Sequence, residues 1–126
     1  MAKSEELPIY RDTLDLLDRL LMLTRNFPKF HRYGMGKRMV DVNLDMLALI
    51  YRANRSYEKM PVISELIDSL QMLQMMFRIC VRHQVISENQ YASVVPLLDR
   101  IGKQSTGWRN HYERHAAAVS GQAGTS

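Results

Sequence analysis

Apolar residues along this chain recur at helical spacing, in four blocks separated by prolines, glycines and short polar runs. In the first block Tyr10, Leu14, Leu17 and Leu21 repeat every three or four positions beside Leu16, Leu20 and Leu23. That period predicts a helix over residues 9–26, with Pro8 in its first turn and the pair Phe27–Pro28 ending it, because the residue before a proline is pushed out of the helical region. The second block sets Met39, Val42, Met46, Ile50 and Ala53 on one stripe, widened by Val40, Leu44, Leu47 and Tyr51, and predicts a helix over residues 35–57 that Pro61 stops. Gly34 and Gly36 read as a hinge between the two.

The third block, residues 62–85, differs from the others in being apolar around most of its circumference. Ile63, Leu66, Ile67, Leu70, Leu73, Phe77 and Val81 suffice for one buried face, which leaves Met72, Met75, Met76 and Ile79 over. A helix apolar around its circumference must be covered on a second side, so these four are expected at a contact with another subunit. The alternative is that they fill irregular gaps in the protomer's own core, a task that unbranched methionine suits. The fourth block opens with Ser87 and, three positions on, Gln90, the pairing in which each side chain satisfies a free backbone amide of the other. Tyr91, Val94, Val95, Leu98 and Ile101 give its buried face; Pro96 predicts a kink, and Gly102 and Gly107 a loosened end around Trp108. From Ala116 the sequence AAAVSGQAGTS is small and polar and reads as a disordered tail, so residues 1–115 form the single domain and 116–126 the tail. No block alternates with strand period. Four helices with short connections predict an all-α, antiparallel four-helix bundle.

A chain of 126 residues that is 46% hydrophobic is long enough for one core and too apolar for general disorder. The start, MAKSEELPIY, lacks the apolar stretch of a secretion signal, and the longest clean apolar run, residues 46–51, is far too short to cross a bilayer, so a cytoplasmic protein without a membrane contact is expected. Cys80 is the single cysteine, which excludes an intrachain disulfide and a thiolate zinc cage.

Charge changes the picture more. Between Arg19 and Lys59 nine basic residues face only Asp41, Asp45 and Glu58, whereas residues 1–18 and 60–99 are net acidic and the tail from Arg100 is mildly basic. Segregation of this kind points to a polyanion. Lys29, Arg32, Lys37 and Arg38 are candidate phosphate contacts at the hinge, helped by exposed amides at a helix start. Lys37 and Arg38 fall in the expected first turn of the second helix, where the helix dipole disfavours cations, unless pairing with Asp41 explains them. Arg52 and Arg55 near the end of that helix, and Arg78 and Arg82 one turn apart on the third, are further candidates that dipole complementarity explains equally well. The segment YGMGKR fails as a Walker loop, because His31 stands where its first glycine belongs and Arg38 where its hydroxyl residue belongs. His111 and His115 in HYERH share a helix face, but Tyr112 replaces the glutamate of the zinc-protease pattern and no third ligand is evident. No nucleophile and base pair, and no carboxylate pair, suggests a catalytic centre, so neither enzyme activity nor a metal or other cofactor is expected.

Taken in order, FPKFHRYGMGKRM, LDMLALIYRA and LLDRIGKQSTGW resemble the accessory variability determinant (Avd) proteins of diversity-generating retroelements, over about residues 7–108. The chain is similar, more distantly, to four-helix bundles encoded by intervening sequences of ribosomal RNA genes, which share the FPK-x-x-RY turn. Tyr51, Arg52, Ala53, Asn54 and Arg55 stand where that second group carries an Asn-Ile-Ala-Glu-Gly-like segment, which favours Avd. The resemblance implies a homopentameric barrel of four-helix bundles that binds the element's reverse transcriptase together with RNA or DNA, with no catalysis of its own. A protein adaptor with an acidic partner would explain the same charge.

Overall fold

A computed structural model describes residues 2–124, with side chains through Ala118. Four helices carry the fold: α1 (Pro8–Arg25), α2 (Lys37–Arg55), α3 (Met60–Arg82) and α4 (Glu88–Gly124), and the described residues contain no strand. A short 3-10 turn, Ser4–Glu6, precedes α1, and a helical turn, Lys29–His31, followed by a π turn, Arg32–Gly36, precedes α2.

The helices pack in a square in which each touches the two that flank it: α1 lies against α2 and α4, and α3 against the same two. Contacts fix the antiparallel directions. Arg19 Nη1 donates to the Ser93 carbonyl at 2.8 Å while Asp12, two turns earlier, meets Arg100 and Gln104 further along α4. On the other side Met39 Sδ lies 3.6 Å from Cys80 Sγ, and Arg52 faces Glu65. Leu16, Leu20, Met39, Met46, Ile50, Ile63, Leu66, Leu73, Phe77, Leu98 and Ile101 fill the axis, each fully or almost fully buried. At roughly 1.5–3 kcal/mol per buried large side chain, this interior dominates the stability. Burial also pushes the Cys80 thiol up from 9.0 to about 11, so it is a packing residue and a poor nucleophile.

Several helix signals act as expected. Pro8 occupies the first turn of α1, and the Ser87–Gln90 box is formed, with Gln90 N–H donating to Ser87 Oγ at 3.0 Å and Ser87 N–H to Gln90 Oε1 at 2.8 Å. Pro61, expected to stop α2, instead sits in the first turn of α3, where its missing N–H costs nothing; α2 ends at Arg55. Helix α3 closes on Gln84, whose φ of 58° is left-handed, and the Val85 N–H reaches back to the Cys80 carbonyl at 2.8 Å.

Three expectations change. Helix α4, with Pro96 inside it, runs on through Gly102 and Gly107, where a loosened end was expected. Glycine inside a helix costs about 1 kcal/mol, which packing of the surrounding apolar face offsets. It also continues past Ala116, since an alanine run is a good helix former; of the expected disordered tail, the side chains of residues 119–126 lie outside the described ones. On α1 the stripe Leu14, Leu17 and Leu21 is not the core face. Ile9, Thr13, Leu16, Leu20 and Thr24 are buried, and Leu14 and Leu21 are exposed. None of the described helices is long and apolar enough to cross a membrane.

Candidate functional site

The glycine-containing segment between α1 and α2 is not a hinge. Gly36 has φ −59° and ψ −48°, and the Lys37 N–H donates to the Arg32 carbonyl five residues back, so the helical turn at Lys29, the π turn and α2 form one unbroken helical rod. Lys37 and Arg38 therefore do not lie at a helix start, and their amides are already bonded. The expected dipole penalty and the exposed amides for phosphate both fall away, because the rod begins near Lys29, with Pro28 as its N-cap. Gly36, at the end of the π turn, passes close under the end of α1. A Cβ there would stand 3.2 Å from the Phe27 ring and 3.3 Å from the Thr24 methyl.

The bundle topology sorts the candidate cations into two groups. At the end where α1 finishes, α2 begins and α3 finishes lie Lys29, Arg32, Lys37, Arg38, Arg78 and Arg82, joined by Arg25, which sequence reasoning passed over. These seven cations meet only Asp41 and Glu88 between residues 25–41 and 78–88. Arg52 and Arg55 lie at the opposite end, roughly 20 Å away along α2 at 1.5 Å per residue.

Local geometry separates the groups further. Lys37 Nζ bonds Asp41 Oδ2 at 2.8 Å, one turn along the same helix, so its pairing with Asp41 is real, although both side chains remain mostly in water. Arg32 Nη2 donates to the Arg25 carbonyl at 2.9 Å, which caps the C-terminus of α1 and pins the π turn against it. Arg25, Lys29, Arg38, Arg78 and Arg82 have no protein partner among the described residues, and all five are exposed. At the opposite end the three cations around the α2–α3 connection are engaged. Lys59 Nζ binds the Ala53 and Asn54 carbonyls at 2.7 and 3.2 Å, closing α2, and lies 5.7 Å from the centre of the Tyr112 ring. Arg55 bonds the Tyr51 hydroxyl and lies over its ring, and Arg52 faces Glu65.

Two aromatic side chains at the π-turn end also escaped the sequence reading. Phe30 is 86% exposed and Tyr33 70%, three positions apart and interleaved with Lys29 and Arg32. Their signal was present: both lie off every apolar stripe, inside the most basic run of the chain.

Of the four side chains assigned to subunit contact, Met76 is 5% exposed and packs in the core, because it falls on the inward edge of α3 beside Leu73 and Phe77. Met72, Met75 and Ile79 do face outward, with Met75 half exposed. A second apolar seam was not foreseen. Asp12 and Arg19 mark the flank of α1 that faces α4, so Leu14, Leu17 and Leu21 lie on the flank toward α2. By the same reasoning Arg52 marks the α3 flank of α2, and Leu44, Leu47 and Tyr51 turn toward α1. Leu14, Leu21, Leu44 and Tyr51 are all more than 40% exposed along this α1–α2 seam.

His111 and His115 are both exposed, and no group of three or more His, Cys, Asp or Glu side chains comes together among the described residues. A family model described as bAvd-like matches residues 8–112, which is the bundle without the projecting last turns of α4. Among curated proteins no match is found.

Proposed function

The chain belongs to the bAvd-like family, and from that premise we propose that it is a non-enzymatic accessory subunit of a diversity-generating retroelement. In this reading it assembles into a homo-oligomeric ring, pentameric as in the Avd proteins it resembles. The ring binds the element's reverse transcriptase and holds template RNA or its cDNA copy for mutagenic synthesis.

The observation that carries the reading is the cation-rich end of the bundle. Five partnerless basic side chains project there beside two nearly bare aromatic rings. A structural role would satisfy such cations with protein acceptors, as happens to Arg52, Arg55 and Lys59 at the other end. Repeating the cluster around a ring multiplies weak phosphate contacts through effective concentration.

The apolar surface supports a ring in particular. A two-fold dimer needs one self-complementary patch, whereas a cyclic ring needs two different patches, one on each side of the protomer. The α1–α2 seam and the outer row of Met72, Met75 and Ile79 on α3 are two such patches, separated by the polar outer stripe of α2, Lys37, Asp41 and Arg55.

Light scattering on the purified chain, followed by co-expression with the reverse transcriptase of the same element, tests the proposal. The expected result is an assembly several protomers in size that co-purifies with the polymerase. Leu44→Asp with Met75→Asp should reduce the assembly to folded monomers. A wild-type monomer at micromolar concentration that ignores the polymerase would contradict the reading.

A further inference from the structure

We propose that Phe30 and Tyr33 form a stacking platform for unpaired bases, so that the π-turn end prefers single-stranded nucleic acid to duplex. The inference rests on the nucleic-acid reading above and specifies what that site recognises.

Three observations lead to it. First, neither ring serves the core. Phe30 and Tyr33 are absent from it and from the side chains packed against it, and the one aromatic neighbour of Phe30 among the described residues is His31, edge-on with ring centres 5.3 Å apart. Leaving large aromatic surface in water is unfavourable by about 25 cal/mol per Å², and no intramolecular contact offsets it.

Second, the two glycines of the turn have different reasons to be there. Gly36 is required by the approach of Phe27 and Thr24, whereas a Cβ at Gly34 would meet nothing within 4 Å. Gly34 has no left-handed φ either. A glycine in a helical turn costs roughly 0.5–1 kcal/mol relative to alanine, so the fold alone gives no reason for it. Gly34 follows Tyr33 directly and stands one turn after Phe30, so its missing side chain leaves the surface beside the rings open to a flat ligand.

Third, the rings are set among cations of the right reach. Lys29 and Arg32 alternate with them, and Arg25 projects from the end of α1 that Arg32 caps. An electropositive edge beside sequence-tolerant π faces is the combination that binds single strands, the bases stacking while the phosphates meet lysine and arginine. Duplex base faces are already covered by their neighbours, so a duplex can use only the cations.

The test compares a labelled oligonucleotide of mixed sequence, single-stranded and as a blunt duplex, by fluorescence anisotropy with the full chain across a salt series. Phe30→Ala with Tyr33→Ala should weaken single-strand binding ~10-fold or more and duplex binding less than about twofold, leaving the slope of log affinity against log salt unchanged. Gly34→Leu, at a position where an added Cβ has open space around it, should keep the melting temperature and still weaken the single strand. Lys29→Ala with Arg25→Ala should weaken both ligands and flatten the slope. If the wild-type chain binds both ligands and the aromatic variant binds them equally well, the platform is wrong and the charge-based reading stands. If the wild type binds neither, both fall. If the aromatic variant instead loses self-association or the polymerase while its single-strand affinity is intact, the rings belong to a protein contact and the platform is overturned.

Discussion

The two ends of this bundle are built from similar residues and differ in how those residues are used. Both hold a cluster of Arg and Lys and exposed tyrosine. At the α2–α3 end Lys59 closes a helix, Arg55 lies on Tyr51 and Arg52 faces Glu65, and Asn54 Nδ2 ties the chain start down through the Ala2 carbonyl at 3.0 Å. Tyr57 is fully exposed there, but alone. At the π-turn end only Arg32 and Lys37 have partners, and Phe30 and Tyr33 stand in solvent as a pair. The π-turn end is the more strongly positive, since its seven cations meet only Asp41 and Glu88, whereas Arg52, Arg55 and Lys59 stand among Glu58 and Glu65. The ends differ further in whether those cations already have an acceptor, and a polyanion gains most where none does.

The comparison breaks first under charge reversal. Lys29→Glu, Arg38→Glu and Arg82→Glu together should weaken nucleic-acid binding on the order of 100-fold at low salt, through lost attraction and new repulsion. Arg52→Glu with Arg55→Glu should cost less than about threefold. Filter binding checks both, with circular dichroism confirming that each variant remains helical. Equal losses at the two ends would reduce the site to undirected charge.

Smaller effects of opposite sign are expected at the two glycines of the π turn. Gly36→Val should destabilise the fold by roughly 1–3 kcal/mol in chemical denaturation, because its branches must displace the Phe27 ring and the Thr24 methyl. Gly34→Ala, two residues away, should stabilise by about 0.5–1 kcal/mol, since it restricts the unfolded chain and meets no steric conflict. Opposite signs at these positions separate the glycine that the packing needs from the one it does not.

The helices were legible because their apolar periods are long and their caps are conventional. Pro8, the Ser87–Gln90 box and the stripe from Met39 to Ala53 each act as their chemistry predicts. Misreadings arose where one residue type serves two purposes. Gly34 and Gly36 looked like a break because glycine usually marks one, yet here one of them permits close packing inside a continuous rod. Pro61 looked like a stop and is a start. On α1 two leucine stripes compete, and the sequence has no means of ranking them; burial of Thr13 and Thr24 beside Leu16 and Leu20 decides it, with the Thr13 hydroxyl satisfied by the Ile9 carbonyl at 2.7 Å. The same ambiguity put Met76 with its outward neighbours.

For the site, the basic run was legible as charge and its division was not. Which cations are free depends on carbonyls and carboxylates that only the packed helices bring near, such as the Arg25 carbonyl that takes Arg32. Arg78 and Arg82 join the hinge cations through the antiparallel pairing of α2 with α3, a relation between residues some forty positions apart in sequence.

Ultraviolet cross-linking of the intact assembly to single-stranded RNA, with the attached peptides mapped, tests the central claim most directly. Adducts concentrated on residues 29–38, with Phe30 and Tyr33 foremost, are predicted. Adducts concentrated on residues 51–59, around Tyr51 and Tyr57, would contradict it.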